Sequence, residues 1–135
     1  MSPALTPWAA YGAMLLTIGL LDAVWLGWLA RGLYQREIGA LLSGQVQALP
    51  ALLFYLGYPA GLWWLALTPR PDSWTQAAWR CALLGLIAYG TYDFTNLATL
   101  KGWSWRIALV DTGWGIAVSL AAGSAAWWVT NKASA

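Results

Sequence analysis

The chain has 135 residues, 60% of them hydrophobic and only 9% charged, with a net charge of +2, 12 tryptophans, one cysteine and no histidine. A soluble domain carries about 25% charge, so this composition excludes an ordinary water-soluble globule, and the absence of a basic run removes any sign of a nucleic-acid partner. A lone Cys81 excludes an internal disulfide, a Cys-x-x-Cys redox centre and a thiolate zinc site. The lack of histidine excludes imidazole ligation of haem or zinc and His-dependent nucleophiles, so no metal or cofactor is expected.

Four apolar stretches, 8–30, 49–67, 77–100 and 107–129, are each long enough to cross a hydrocarbon core of about 30 Å. They predict an all-α integral membrane four-helix bundle in one domain covering residues 1–135. Residues 1–7 lack the basic start of a signal peptide, and the first stretch is long and contains Asp22, so it reads as a retained helix. It carries the small-residue stripe Gly19-x-x-x-Ala23-x-x-x-Gly27, which lets helices approach closely within one chain or across a homodimer.

The connection 31–47 places Leu33, Ile38, Leu41, Leu42 and Val46 at mixed spacings of three to five. That suits a short interfacial helix or a continuation of the first span. Pro50 fits the opening turn of the second helix, whereas Pro59 falls inside it and predicts a kink. The segment Thr68-Pro69-Arg70-Pro71-Asp72-Ser73 is a turn-rich breaker, with Trp74 and Trp79 placed for an interfacial aromatic belt. Lys101-Gly102-Trp103-Ser104-Trp105-Arg106 is a tight turn that makes the last two spans an antiparallel hairpin. The last span repeats the small-residue pattern as Gly115-x-x-x-Ser119-x-x-x-Gly123.

Four spans put both ends on one side. The first and third connections hold Arg31, Arg36, Lys101 and Arg106, against Arg70, Arg80 and Lys132 on the side of the ends. The positive-inside rule then places the ends in the periplasm of a bacterial inner membrane.

Asp22, Asp93 and Asp111 lie inside these spans. A charged side chain at the centre of a bilayer costs roughly 2.5 to 3.5 kcal/mol on insertion scales, so such acids face a bundle interior or a wet cavity and are the default functional site. Asp22 precedes Arg31 by nine residues, Asp93 precedes Lys101 by eight, and Asp111 follows Arg106 by five. At 1.5 Å per residue all three sit roughly 8 to 13 Å below the same face. Each has a partner three residues on, hence on its own helix face: Trp25, Asn96 and Trp114 respectively. Carboxylates beside indoles and an amide describe a pocket for a cationic group, because indole faces attract cations by about 0.5 to 2 kcal/mol. The bland readings are an Asp111 solvated near the face or paired with Arg106, carboxyls that share a proton, and indoles that only fill space.

Asp22-x-x-x-Leu26-x-x-Leu29-Ala30-Arg31-Gly32 lines up with Asp93-x-x-x-Leu97-x-x-Leu100-Lys101-Gly102, a hint of two related hairpins. The run Tyr89-Gly90-Thr91-Tyr92-Asp93-Phe94-Thr95-Asn96-Leu97-Ala98-Thr99-Leu100-Lys101-Gly102-Trp103 stands between Asp22-Ala23-Val24-Trp25-Leu26 and Asp111-Thr112-Gly113-Trp114-Gly115. Together these segments resemble a bacterial family of small predicted membrane proteins, domain of unknown function 2177. The resemblance implies a four-helical fold and brings no activity or substrate with it. The candidate ligand-binding or proton-linked residues are therefore Asp22, Asp93, Asp111, Asn96, Trp25 and Trp114, with Tyr89, Tyr92 and Thr95 from the motif.

Three functions fit this pattern. The first is binding or transport of a lipophilic or cationic small molecule, similar in plan to small multidrug exporters. The second is an enzyme in which these acids do acid–base chemistry on a lipid or isoprenoid-like substrate. The third is a non-catalytic subunit of a membrane complex. Membrane lipid is the surrounding partner in all three.

Overall fold

A computed structural model describes residues 6–134, with side chains to residue 131. The start of the chain, read above as lacking a signal peptide, and the Lys132 side chain counted in the charge balance lie outside the described residues. The described chain forms five α-helices and no strand: α1 (Thr6–Val24), α2 (Arg31–Ile38), α3 (Ala48–Gly61), α4 (Trp74–Thr99) and α5 (Trp105–Ser134). Four of these helices are long, and the short α2 falls in the connection where a short interfacial helix or a continuation of the first span is expected, so the count among the described residues is five.

Among the described residues, three helical segments are long and apolar enough to cross a membrane: Thr6–Leu29, Ala48–Ala66 and Trp105–Asn131. The remaining long helix, α4, has 26 residues, about 39 Å at 1.5 Å per residue. Length is not what sets it apart: Gln76, Arg80, Asp93 and Asn96 and several threonines lower its apolarity.

Two of the long helices end in a π-helical turn. Trp25–Leu29 closes α1 and leads through Ala30 into α2, so the short helix is a bent continuation of the first long one. Leu62–Ala66 closes α3, three residues beyond the buried Pro59 at which the kink is expected. Proline removes one backbone donor, and a widened turn is one way a helix absorbs the loss.

The start of α4 follows from Ser73, whose hydroxyl accepts from the Gln76 N–H at 3.1 Å, while the Gln76 side chain accepts from the Asp72 N–H at 2.6 Å. This reciprocal capping satisfies donors that a helix end leaves open. At its other end the chain reverses through Gly102, whose φ of +88° lies where only glycine is unstrained. Ser104 then caps α5 by accepting from the Ile107 N–H at 3.1 Å.

The connections alternate between the two ends of the bundle. At one end Glu37 of α2 meets Arg106 of α5 at 3.4 Å, and Leu41 lies against Gly102. At the other, Arg70 bonds Asn131 at 2.5 Å and Arg80 bonds the Pro69 carbonyl at 2.8 Å. Arg106 therefore pairs with Glu37, not with Asp111.

Helix α5 is central, packed along α4 and α1, and α3 is peripheral. The α4–α5 approach depends on small residues: a Cβ on Gly85 would lie 2.4 Å from the Gly115 carbonyl oxygen, and one on Gly115 would lie 2.1 Å from the Tyr89 ring. The stripe in α5 thus packs inside the chain. The stripe in α1 does not, since Gly19 and Gly27 have nothing within 4 Å and Ala23 is exposed. By contrast α3 is tethered by hydroxyls: Tyr11 to the Leu56 carbonyl at 2.7 Å, Tyr55 to Asp22 at 2.7 Å and Tyr58 with Ser119 at 2.6 Å.

Substituting Gly85→Ala should destabilise the protein by about 1 to 3 kcal/mol through overpacking. Gly12→Ala, whose new methyl meets nothing within 4 Å, should be neutral or stabilising because alanine is the better helix former by about 1 kcal/mol. Melting temperatures in detergent test the pair, and an unchanged value for Gly85→Ala would contradict the close approach of α4 and α5.

Candidate functional site

Asp22 is 6% exposed and has both carboxylate oxygens occupied: Trp114 Nε1 donates to Oδ1 at 2.7 Å and the Tyr55 hydroxyl donates to Oδ2 at 2.7 Å. Asp111 accepts from the Tyr34 hydroxyl at 2.5 Å, and Tyr34 in turn accepts from Trp25 Nε1 at 3.2 Å. The two indoles stack with centroids 4.4 Å apart and planes within 2°. The two Asp-x-x-Trp motifs therefore interlock. The indole of one motif serves the carboxylate of the other, directly for Asp22 and through Tyr34 for Asp111.

Beside this network lies a cavity of about 520 Å³ between α3 and the rest of the bundle. Asp22 and Asp111 supply its acidic wall. Tyr34, Tyr55, Tyr58, Tyr89, Tyr92, Phe54, Trp103 and Trp114 supply an aromatic one, and Leu26, Ile38 and Leu42 narrow it at the end where α2 crosses. Phe54 and Tyr58 of α3 reach Tyr89 of α4 edge-on at 6.5 and 6.1 Å. Trp103 packs edge-on against Tyr92 at 5.5 Å and has a buried indole N–H without an acceptor.

The nine residues singled out from the sequence divide. Asp22, Asp111, Trp114, Tyr89 and Tyr92 line the cavity, and Trp25 backs Trp114. Asp93 does not line it: this residue is fully buried, with Oδ2 accepting from Thr112, the neighbour of Asp111 on α5, at 3.3 Å. The expectation of all three acids opening into one cavity is corrected on this point. Asn96 lies against Tyr92 instead of among the cavity's donors. Thr95 is exposed, and its hydroxyl turns back to the carbonyls of Thr91 and Tyr92, the usual local bond of a threonine inside a helix.

Sequence reasoning passed over Tyr34, Tyr55 and Tyr58. Their signal was weak but present: each is a hydroxyl donor in or beside an apolar stretch, and Tyr55 and Tyr58 are three apart, hence on one face of α3. Burial and the hydrogen bond to Asp111 hold the Tyr34 hydroxyl well above the ordinary tyrosine pKa, so it stays a donor.

None of Asp22, Asp93 and Asp111 has an ion-pair partner among the described residues, where the pair is Arg106 with Glu37. Buried carboxylates are ordinarily paired. Here their donors are neutral indoles and hydroxyls, which hydrogen-bond the charge without cancelling it.

The fold and site define an all-helical protein with apolar segments of membrane-crossing length and an acidic, aromatic cavity. The chain belongs to the predicted membrane protein family DUF2177, which matches residues 8–128. No curated protein and no solved structure matches it.

The geometry separates two substitutions at Asp22. In Asp22→Asn the carbonyl still accepts from Trp114 and the amide donates to the Tyr55 oxygen, so stability should change by less than about 1 kcal/mol. In Asp22→Leu both donors are stranded, and each buried unsatisfied group costs about 1 to 3 kcal/mol. Thermal melting of both variants checks this, and equal losses would show that the hydrogen bonds to Asp22 contribute nothing.

Proposed function

We propose that this protein crosses a cytoplasmic membrane four times and binds a lipophilic organic cation in the cavity beside Asp22 and Asp111, as a receptor or carrier. The observation that carries the reading is the pair of carboxylates in an aromatic, largely apolar cavity with no basic partner. An ion moved out of water is costly unless compensated. A ligand with one positive charge supplies the missing counter-charge, and the tyrosine and tryptophan rings add about 0.5 to 2 kcal/mol per favourable cation–π contact. The cavity volume lies in the range of small-molecule sites, about 300 to 1,000 Å³.

The topology belongs to the same proposal. Helix α4 is joined to α5 by a tight turn and lies antiparallel along it, so a membrane-crossing α5 carries α4 across with it despite the polar residues of α4. Those polar side chains include Asp93, Thr112's partner, which is sheltered from lipid. On this reading the first and third connections lie on the cytoplasmic side, as their basic residues favour, and both chain ends lie on the opposite side. Reporter fusions at residue 135 and within residues 31–47 should report opposite sides, and agreement between them would refute four crossings.

Binding is tested with benzyltrimethylammonium and its neutral carbon isostere neopentylbenzene, following tryptophan fluorescence of the purified protein in detergent. The cation should bind saturably and at least about tenfold more tightly than the isostere, a difference of 1.4 kcal/mol. Asp22→Asn combined with Asp111→Asn should remove that preference. Equal affinity for the two probes would sink the cation reading. Conversion of a bound lipid, seen by mass spectrometry, would favour the acid–base enzyme instead.

A further inference from the structure

Asp93 is the acid that the cavity leaves aside. It is fully buried on α4, its Oδ2 has one long hydrogen bond from Thr112, and its Oδ1 is sealed from solvent with no donor. Thr112 is the neighbour in sequence of Asp111, which stands close by across the α4–α5 interface, and the two acids interact. The other titratable groups acting with the two acids are the hydroxyls of Tyr34 on α2 and of Tyr89 and Tyr92 on α4. Among the described residues α1 and α3 set no titratable group against it, and no lysine or arginine pairs with it.

Two ionised carboxylates close together in an apolar bundle and without a cation repel strongly, and the neutral hydroxyl donors of Thr112 and Tyr34 do not offset that repulsion. A single proton between them removes the repulsion and provides the donor that the pair lacks. We propose that Asp93 and Asp111 share one proton when the cavity is empty, and that a cation entering beside Asp111 displaces this proton to water, which makes Asp93 the proton site of the protein.

The inference rests on the cation-binding reading above and adds the exchanged proton to it. One O–H bond of the pair breaks, and the proton passes to water as hydronium through the cavity that Asp111 and Tyr34 line. One positive charge enters as one leaves. The buried region keeps its net charge, and nothing is oxidised or reduced. A neutral lipophile in the same cavity displaces no proton.

Infrared difference spectroscopy and calorimetry test the two halves separately. The carbonyl stretch of a protonated carboxyl should be present in the empty wild-type protein and absent from Asp93→Asn. Its absence from the wild type would overturn the shared proton whatever the cation does. Benzyltrimethylammonium, which has no proton of its own to lose, should abolish the band and release about one proton per cation, measured in buffers of different ionisation enthalpy. Linkage then makes its affinity rise about tenfold per unit of pH while the pair is protonated, and Asp93→Asn should flatten that dependence. Binding with the band intact and no proton released would overturn the exchange while leaving the cation reading standing. Failure of the cation to bind at all would overturn the exchange together with the reading beneath it. The wild-type titration decides the matter by itself if Asp93→Asn does not fold.

Discussion

The rest of this structure depends on satisfying carboxylates where neither water nor a cation is at hand. An apolar bundle offers few groups able to do so without adding further charge. Indole N–H and phenol O–H are such groups, because each carries its donor on a large apolar body that packs like any other core side chain. This gives the aromatic residues a purpose beyond filling space. Trp114 ties α5 to α1 through Asp22, Tyr55 ties α3 to the same carboxylate, and Tyr34 ties α2 to α5 through Asp111. Four of the five helices are joined by bonds to two acids.

The bundle has two textures. Where α4 and α5 meet, glycine and serine bring the backbones so near that a single added methyl would collide with a carbonyl oxygen. Packing of this kind yields its energy through close van der Waals contact and tolerates little displacement. Around α3 the contacts are hydroxyls and ring edges, and only 11% of its apolar window is buried. The cavity lies where the first texture gives way to the second. Any ligand that enters is held between a rigid wall bearing Asp111 and a lightly held one bearing Phe54, Tyr55 and Tyr58, so α3 is the element that can adjust to a guest at least cost in buried contacts.

Much of this was legible in the sequence. Hydrophobic length marked out the four long helices, and the motif segments supplied Asp22, Trp25, Asp111 and Trp114, which the structure joins through Tyr34. The spacing of three speaks only of faces within one helix. It places Asp22 and Trp25 on one helix face, yet the indole that bonds Asp22 comes from α5. Local periodicity can say which residues share a face and not which face meets which. Tyr34 shows the same limit. Nothing within residues 31–47 reveals that the chain bends after a π-helical turn and returns one hydroxyl to Asp111, since that return depends on α5, 77 residues away. The two small-residue stripes read alike in sequence as well, but one is sealed against α4 and the other faces outward, a distinction made entirely by tertiary packing.

The three carboxylates differ in what surrounds them. Asp22 has a neutral donor on each oxygen, so its charge is well solvated by the protein and its position is fixed from both α3 and α5. Asp111 accepts from Tyr34 alone and is half-buried at the cavity wall, so its charge is the one a guest can approach most directly. Asp93 has a single long bond and a sealed, undonated oxygen. Asp93 is the most buried of the three, yet it has one long bond where the nearly buried Asp22 has two short ones, the reverse of what stability alone would select, since the most buried ion is the most expensive to leave unsatisfied. A fold that only needed to stand would place its best donors on Asp93. Placing them on Asp22 leaves the Asp93–Asp111 pair incomplete within the protein, and what completes it must come from outside the chain.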